Sequence, residues 1–209
     1  MTATTAGKAS YHHGDLRDAL ILATDRILDE EGLEGFSLRK AARRAGVSPA
    51  APAHHFGSSA GLLTEVAIMG YEELGRELAV DRTTGEPLDW LKAQALGYVR
   101  FALAFRGRFH LLFRSDLLLP DDPRLETASA ASYESLARTI RAMRGLPEDI
   151  PSDETTQTML LAAWSTVHGF AHLVLTGKLL RKWPDATPDQ VVTNLLPLML
   201  DALWAPPRA

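Results

Sequence analysis

The stretch from Gly35 to Gly57, GFSLRKAARRAGVSPAAPAHHFG, constrains the fold of this 209-residue chain more than any other. Ser37 is an N-cap residue, with a hydroxyl that can accept from an orphan N–H of the first helical turn. Leu38, Ala41, Ala42 and Ala45 then recur at helical spacing. Gly46 supplies a positive φ and ends that helix. Val47 is placed to tuck between two helices. Ser48 reads as the cap of the second, with Pro49 at its first position, where a missing N–H is no loss. Pro52, then the fourth helical residue, removes the first backbone bond to Ser48. Proline costs about 3 kcal/mol deep in a helix and much less in the first turn, so the pattern predicts a shortened second helix. Ala41, Ala42 and Ala45 are small enough for the two backbones to approach closely. These are the parts of a helix-turn-helix, whose second helix enters the DNA major groove.

The charges agree. Arg39, Lys40, Arg43 and Arg44 are the only formally charged residues of the stretch, on a chain with a net charge of −4. A locally basic patch on an acidic protein is the footprint of a surface that meets phosphates. A merely solvated helix face is the plainer alternative, and the two caps and the glycine turn weigh against it. The candidate DNA-contacting residues are Ser37, Arg39, Lys40, Arg43 and Arg44 from the first helix, with Ser48, Pro49, Ala50, Ala53 and His54 from the second. The arginines are expected on phosphates. The second helix offers few hydrogen-bonding groups to base edges, so shape and methyl contacts are expected to contribute.

Residues 14–70 resemble the N-terminal domain of TetR-type transcriptional regulators. The resemblance rests on the opening helix in LRDALILATDRILDEEGLEGFSLRKAARRAGVS, a short recognition helix ending HHFG, and a helix beginning GLL. Later, WSTVHGFAHL resembles a Trp-X-X-X-His-Gly element carried by the regulatory domains of one branch of that family. The departures are local. The family commonly places a phosphate-binding Tyr where this chain has Ala53, and a Lys where it has Ser59. The resemblance implies a ligand-responsive repressor that binds a near-palindromic, double-stranded operator as a homodimer. The alternative is a non-enzymatic small-molecule or protein-binding module whose head has lost operator recognition, motivated by Ala53 and Ser59.

The remainder reads as helix throughout, an all-α chain. An arm over residues 1–13, with Lys8, Tyr11, His12 and His13, has no apolar run for a signal peptide. It is expected to be flexible; in TetR-like proteins such an arm can touch the DNA backbone. The three-helix head spans 14–58, a connecting helix and linker 59–87, and a ligand-binding and dimerisation domain 88–209. The polar run DRTTGEP, residues 81–87, marks the boundary between the last two. Beyond it, helices are expected over about 88–106, 108–118, up to Arg144, 153–176 and 189–204, with Pro197 placed to kink the last.

Residues 155–177 carry no formal charge, which invites a membrane reading, but their Thr, Gln, Ser and His content makes a buried interface helix the better one. The last two helices carry more apolar surface than one face needs. A helix that is apolar nearly all round is central in a core or shared with a partner. The family resemblance favours a four-helix bundle across a two-fold axis, with Leu160, Val167, Leu195, Leu196, Met199, Leu200 and Leu203 at the interface.

Between Trp90 and Phe113, the aromatic residues Tyr98, Phe101, Phe105 and Phe109 recur at spacings of three or four, so one face is expected to hold them. Ordinary core packing accounts for any single one. Their polar company, His110 beside them and the pair Trp164 and His168 four apart, suggests a mostly apolar effector pocket that also includes Phe113. His168 and His172 share the spacing of two zinc ligands, yet no Glu of a His-Glu-X-X-His motif and no third ligand stands near, so no metal site is expected. The chain has no cysteine, which excludes disulfides and thiol chemistry and fits a cytoplasmic protein. No nucleophile elbow, Walker loop or dinucleotide fingerprint occurs, and neither enzymatic activity nor a cofactor is expected.

Overall fold

The computed structural model describes residues 13–204, with helices and no strands among them. The expected arm, with Lys8, Tyr11 and His12, lies outside the described residues. The helices are α1 (His13–Glu31), α2 (Leu38–Ala45), α3 (Ala51–Phe56), α4 (Ser59–Glu77), α5 (Pro87–Ala104), α6 (Arg106–Leu112), α7 (Pro123–Met143), α8 (Glu154–Leu175) and α9 (Pro188–Trp204). Each boundary has a local cause. The Ser37 hydroxyl accepts from Lys40 N–H, Ser58 from Gly61 N–H, and the Asp122 and Asp153 carboxylates from the first turns of α7 and α8. Glu86 and Asp89 close a capping box on α5.

The first three helices and the start of α4 share a small core. Leu20, Ile27, Ala41 and Leu62 are sealed within it, and Phe36, Leu38, Val47 and Phe56 pack around them. Burial of three such side chains larger than alanine stabilises a head of this size by roughly 1.5–3 kcal/mol each. The other helices surround a larger core, in which Phe101, Phe109, Leu111, Leu196 and Leu200 are fully buried. Helix α4 belongs to both: Leu62 faces the head, and Leu74 faces the body.

One of the expected helices ends early: the segment expected over 108–118 is only Arg106–Leu112, followed by a 3₁₀ turn at Ser115–Leu117. Pro197 does lie inside α9. By length and composition α8 is the one helix among the described residues that could cross a membrane, but Leu160, Ala163, Phe170 and Ala171 bury one face of it inside the molecule.

Candidate functional site

The turn between α2 and α3 follows from one glycine. Gly46 takes φ 70°, and the N–H groups of Gly46 and Val47 return to the carbonyls of Arg43 and Ala42. A side chain at that φ would be strained, so the chain reverses there. Ala41 and Ala42 are wholly buried at the crossing.

The start of the second helix corrects the sequence reading. Ser48 does not cap α3 and Pro49 is not its first residue; the helix begins at Ala51, with Ala50 in the cap position and no side-chain cap bond. The cause is Pro52. A helix begun at Pro49 would need a Pro52 N–H for the Ser48 carbonyl, and the proline ring would press on that oxygen. The chain instead donates Ala51 N–H to the Ser48 carbonyl at 3.0 Å and starts α3 where Pro52 falls in the first turn, its ring buried. The helix has 6 residues, the shortening that Pro52 implied. Ser48, Pro49, Ala50, Ala53 and His54 are all exposed along this segment.

The four basic side chains of α2 are not equivalent. Lys40 pairs with Glu31 and Arg44 with Glu30, both at the C-terminal end of α1. Lys40 holds the Glu31 carboxyl below its usual range chiefly by that hydrogen bond. Arg39 and Arg43 are exposed, and neither has an ion pair among the described residues. Ser37 is exposed too, its hydroxyl engaged at the start of α2.

In the body, α4, α5, α6, α7 and α8 line a cavity of about 590 Å³ that opens to the surface beside Phe113, Tyr133 and Trp164. Tyr98, Phe101, Phe109, Phe113 and Trp164 line it, as do Leu160 and Val167, two residues expected at a dimer interface. Phe105 and His110 do not line it. The supposed single aromatic face is broken at Phe105, where α5 ends with φ −128° and ψ 57° and α6 sets off in a new direction. Phe105 instead lies under the Arg108 guanidinium, 4.6 Å from ring centre to Cζ. His168 stands one layer behind the wall. The Tyr98 hydroxyl is hydrogen-bonded to His168 Nδ1 at 3.0 Å and accepts from Trp164 Nε1–H at 3.4 Å. The imidazole lies 4.4 Å from the Phe113 ring centre and stacks on Phe109 at 5.4 Å. Tyr71, Gln94 and Tyr133 also line the cavity, and the sequence reading missed them. Gln94 left a signal: it is the one polar residue at core spacing in the run Leu91, Gln94, Ala95, Tyr98, and it is 1% exposed.

Burial lowers the pKa of His168, with His172 adding repulsion, and burial likewise lowers that of His110. Burial, opposed in part by the Trp164 bond, raises that of Tyr98, so the phenol keeps its proton. A histidine with a depressed folded pKa binds fewer protons folded than unfolded once the pH drops below the unfolded value, about 6.5. Stability therefore falls as the pH goes from 7.5 towards 5.5. His168→Gln is expected to make that loss shallower, as melting temperatures across the range will show; parallel curves would remove His168 from the effect.

Of the residues expected at a dimer interface, Leu160, Val167, Leu196 and Leu200 are buried inside the subunit, Leu195 and Met199 are half-buried, and Leu203 is exposed. Both long apolar helices turn their fuller side inward, so of the expected residues only Leu203 is left outside, joined by Leu161, Trp164 and Leu173 on α8 and Leu198 on α9.

Helix α6 joins the two regions. Phe109, Leu112 and Phe113 line the cavity, while Arg108 grips α1 through a two-pronged contact with Asp25, Nε to Oδ1 at 2.7 Å and an Nη to Oδ2 at 2.6 Å. Gly107 rests on the backbone of Leu28 and Asp29, so close that even a methyl group would collide.

A helix-turn-helix head set on a helical body with an apolar cavity defines a DNA-binding transcriptional regulator. The chain belongs to the tetR family of bacterial regulatory proteins: that family's description matches residues 20–66, and the tetracyclin repressor-like C-terminal domain matches residues 91–199. Among solved structures it is similar to a protein of unknown function from Rhodococcus sp. RHA1, with 32% identity over 94% of this chain and 97% of that one and a TM-score of 0.73. It shares its fold with a possible TetR family transcriptional regulator from Streptomyces coelicolor A3(2), at 16% identity, 90% and 98% coverage and a TM-score of 0.62. The same holds for the TetR family transcriptional regulator PfmR from Thermus thermophilus, at 18% identity, 99% and 100% coverage and a TM-score of 0.60. No curated protein matches the chain.

Proposed function

We propose that the protein is a homodimeric, ligand-responsive repressor, cytoplasmic and non-enzymatic, that releases or takes up its operator as a small apolar effector enters the cavity. The observation that carries this is the double duty of α6, which walls the cavity on one side and clamps α1 on the other. An effector pressing on Phe109 and Phe113 shifts α6, and the Arg108–Asp25 clamp passes the shift to the head. Helix α4, with Tyr71 and Leu74 at the cavity and Leu62 in the head, moves in the same sense. An effector acts by its differential affinity for the two positions of the heads. Within the family, Trp164, His168 and Gly169 suggest the branch whose regulatory domains carry the Trp-X-X-X-His-Gly element.

The dimer is read from the outer faces of α8 and α9, where Leu161, Leu173, Leu198 and Leu203 stand exposed. One short recognition helix reads half a site, and a two-fold dimer presents two. Ser37, Lys40 and Arg44 support the head, and Arg39 and Arg43 are assigned to phosphates, with Ser48, Pro49, Ala50, Ala53 and His54 against the groove.

The test is a gel shift with the DNA upstream of the protein's own gene, repeated across salt concentrations. Each lost phosphate contact flattens the log–log salt dependence by about 0.9. Arg43→Ala is expected to show that full change, and Arg44→Ala a smaller one because Arg44 must first leave Glu30. No shift by the unmodified protein on any DNA would favour a module without operator recognition.

A further inference from the structure

We propose that the effector is an uncharged, mainly apolar molecule carrying an O–H or N–H donor that it delivers to the side-chain oxygen of Gln94. This rests on the cavity being the effector site and narrows what that site takes. Gln94 sits in the cavity wall one helical turn before Tyr98. Its Nε2 donates to the carbonyl oxygens of Leu78 at 3.3 Å and Ser135 at 3.1 Å, and to Ser135 Oγ at 3.0 Å. Two of these acceptors are carbonyls with no proton to give, so the amide cannot be turned over without setting oxygen against oxygen. The Oε1 atom is thereby fixed opposite them, buried, and no donor among the described residues reaches it. Interiors seldom carry such an acceptor unpaired, because leaving it so costs more than a made bond returns. The terminal torsion of glutamine is broad, so a ligand donor can draw the oxygen towards the cavity at little torsional cost.

Most of the other polar groups of the wall are already engaged, the Ser129 and Ser132 hydroxyls by the Glu126 and Ala128 carbonyls, and the Tyr133 hydroxyl is neutral. The Tyr98 hydroxyl is engaged by His168 and Trp164, and the Tyr71 hydroxyl donates to the Leu112 carbonyl. Glu134, the one carboxylate in the wall, is paired with Arg138 and Arg141. No Lys or Arg among the described residues lines the cavity, so an anionic ligand would lose its hydration without gaining a counter-charge.

Decan-1-ol, its methyl ether and decanoate provide the test, each displacing N-phenyl-1-naphthylamine from the full chain. The alcohol is expected to displace the dye at about tenfold lower concentration than the ether, although the ether is the more apolar, with decanoate weaker than both. In Gln94→Met the preference for the alcohol should vanish while the ether keeps its affinity. Equal potency of alcohol and ether in the unmodified protein, or a preference that survives in Gln94→Met, overturns the donor assignment and leaves the cavity as the effector site. Decanoate as the tightest ligand overturns the uncharged class. A dye that neither binds nor is displaced overturns the cavity reading together with the inference. The ratio in the unmodified protein decides the matter even if Gln94→Met does not fold.

Discussion

Leu196→Glu is expected to abolish folding, where the same change at Leu161 is expected to leave a folded monomer. The two leucines look alike in the sequence, each on a helix apolar nearly all round. Leu196 has no exposure at all and belongs to the main core of the body, whereas Leu161 is 51% exposed. A carboxylate at position 196 has neither water nor a partner. Removing the leucine costs about 2–5 kcal/mol by itself, and burying an unpaired polar or charged group adds several more. The sum rivals the whole stability of a domain, about 5–15 kcal/mol. At position 161 the charge costs the isolated subunit little and burdens only a partner that packs there. Circular-dichroism melting and light scattering separate the outcomes. A folded Leu196→Glu chain that melts like the unmodified protein would refute the assigned core, and a dimeric Leu161→Glu would move the interface elsewhere.

Gly107→Ala should be, with Gly61→Ala and Gly97→Ala, among the most damaging changes of a single methyl group, because the added Cβ meets backbone at each. At position 107 the Cβ would stand 2.5 Å from the Leu28 carbonyl carbon, 2.7 Å from the Asp29 nitrogen and 2.7 Å from the Leu28 oxygen. Those are backbone atoms on α1, so no side-chain rotation relieves the clash and α6 must back away. Overpacking of this kind costs about 1–3 kcal/mol, or several degrees of melting temperature in a chain of this size. Withdrawal of α6 also stretches the Arg108–Asp25 clamp, so operator affinity should fall and its response to the effector should weaken. Gly75→Ala supplies the contrast. Nothing lies within 4 Å of its added Cβ, and alanine in a helix interior is better than glycine by roughly 0.5–1 kcal/mol, so the melting temperature should rise. Equal melting temperatures for the two variants would mean that α6 and α1 are not in close contact in solution.

The parts of this molecule written in local chemistry were legible from its sequence. Ser37, Gly46 and the alanines between them specify α2 and its turn with no help from distant residues. Where two local signals competed, sequence reading chose wrongly: Ser48 and Pro49 look like a helix start, and only the clash Pro52 would suffer shows why α3 begins later. The cavity was less accessible. Its aromatic side was visible in the spacing of Tyr98, Phe101 and Phe109, but Tyr71 and Tyr133 come from helices whose approach depends on tertiary packing. Apolar count alone could not say which flank of α8 and α9 faces inward. Leu196 and Leu198 are two residues apart, one sealed and the other 65% exposed.

The pairs Lys40–Glu31 and Arg44–Glu30 give the reading head built-in counterions. A phosphate must outcompete a carboxylate for two of the four cations of α2. That exchange should return less free energy on arbitrary DNA than release of salt ions from unpaired cations would. The expected consequence concerns search rather than affinity. A self-neutralised head lingers less on the vast excess of wrong sequences, so a larger share of a small cellular pool of the protein stays available to find its operator.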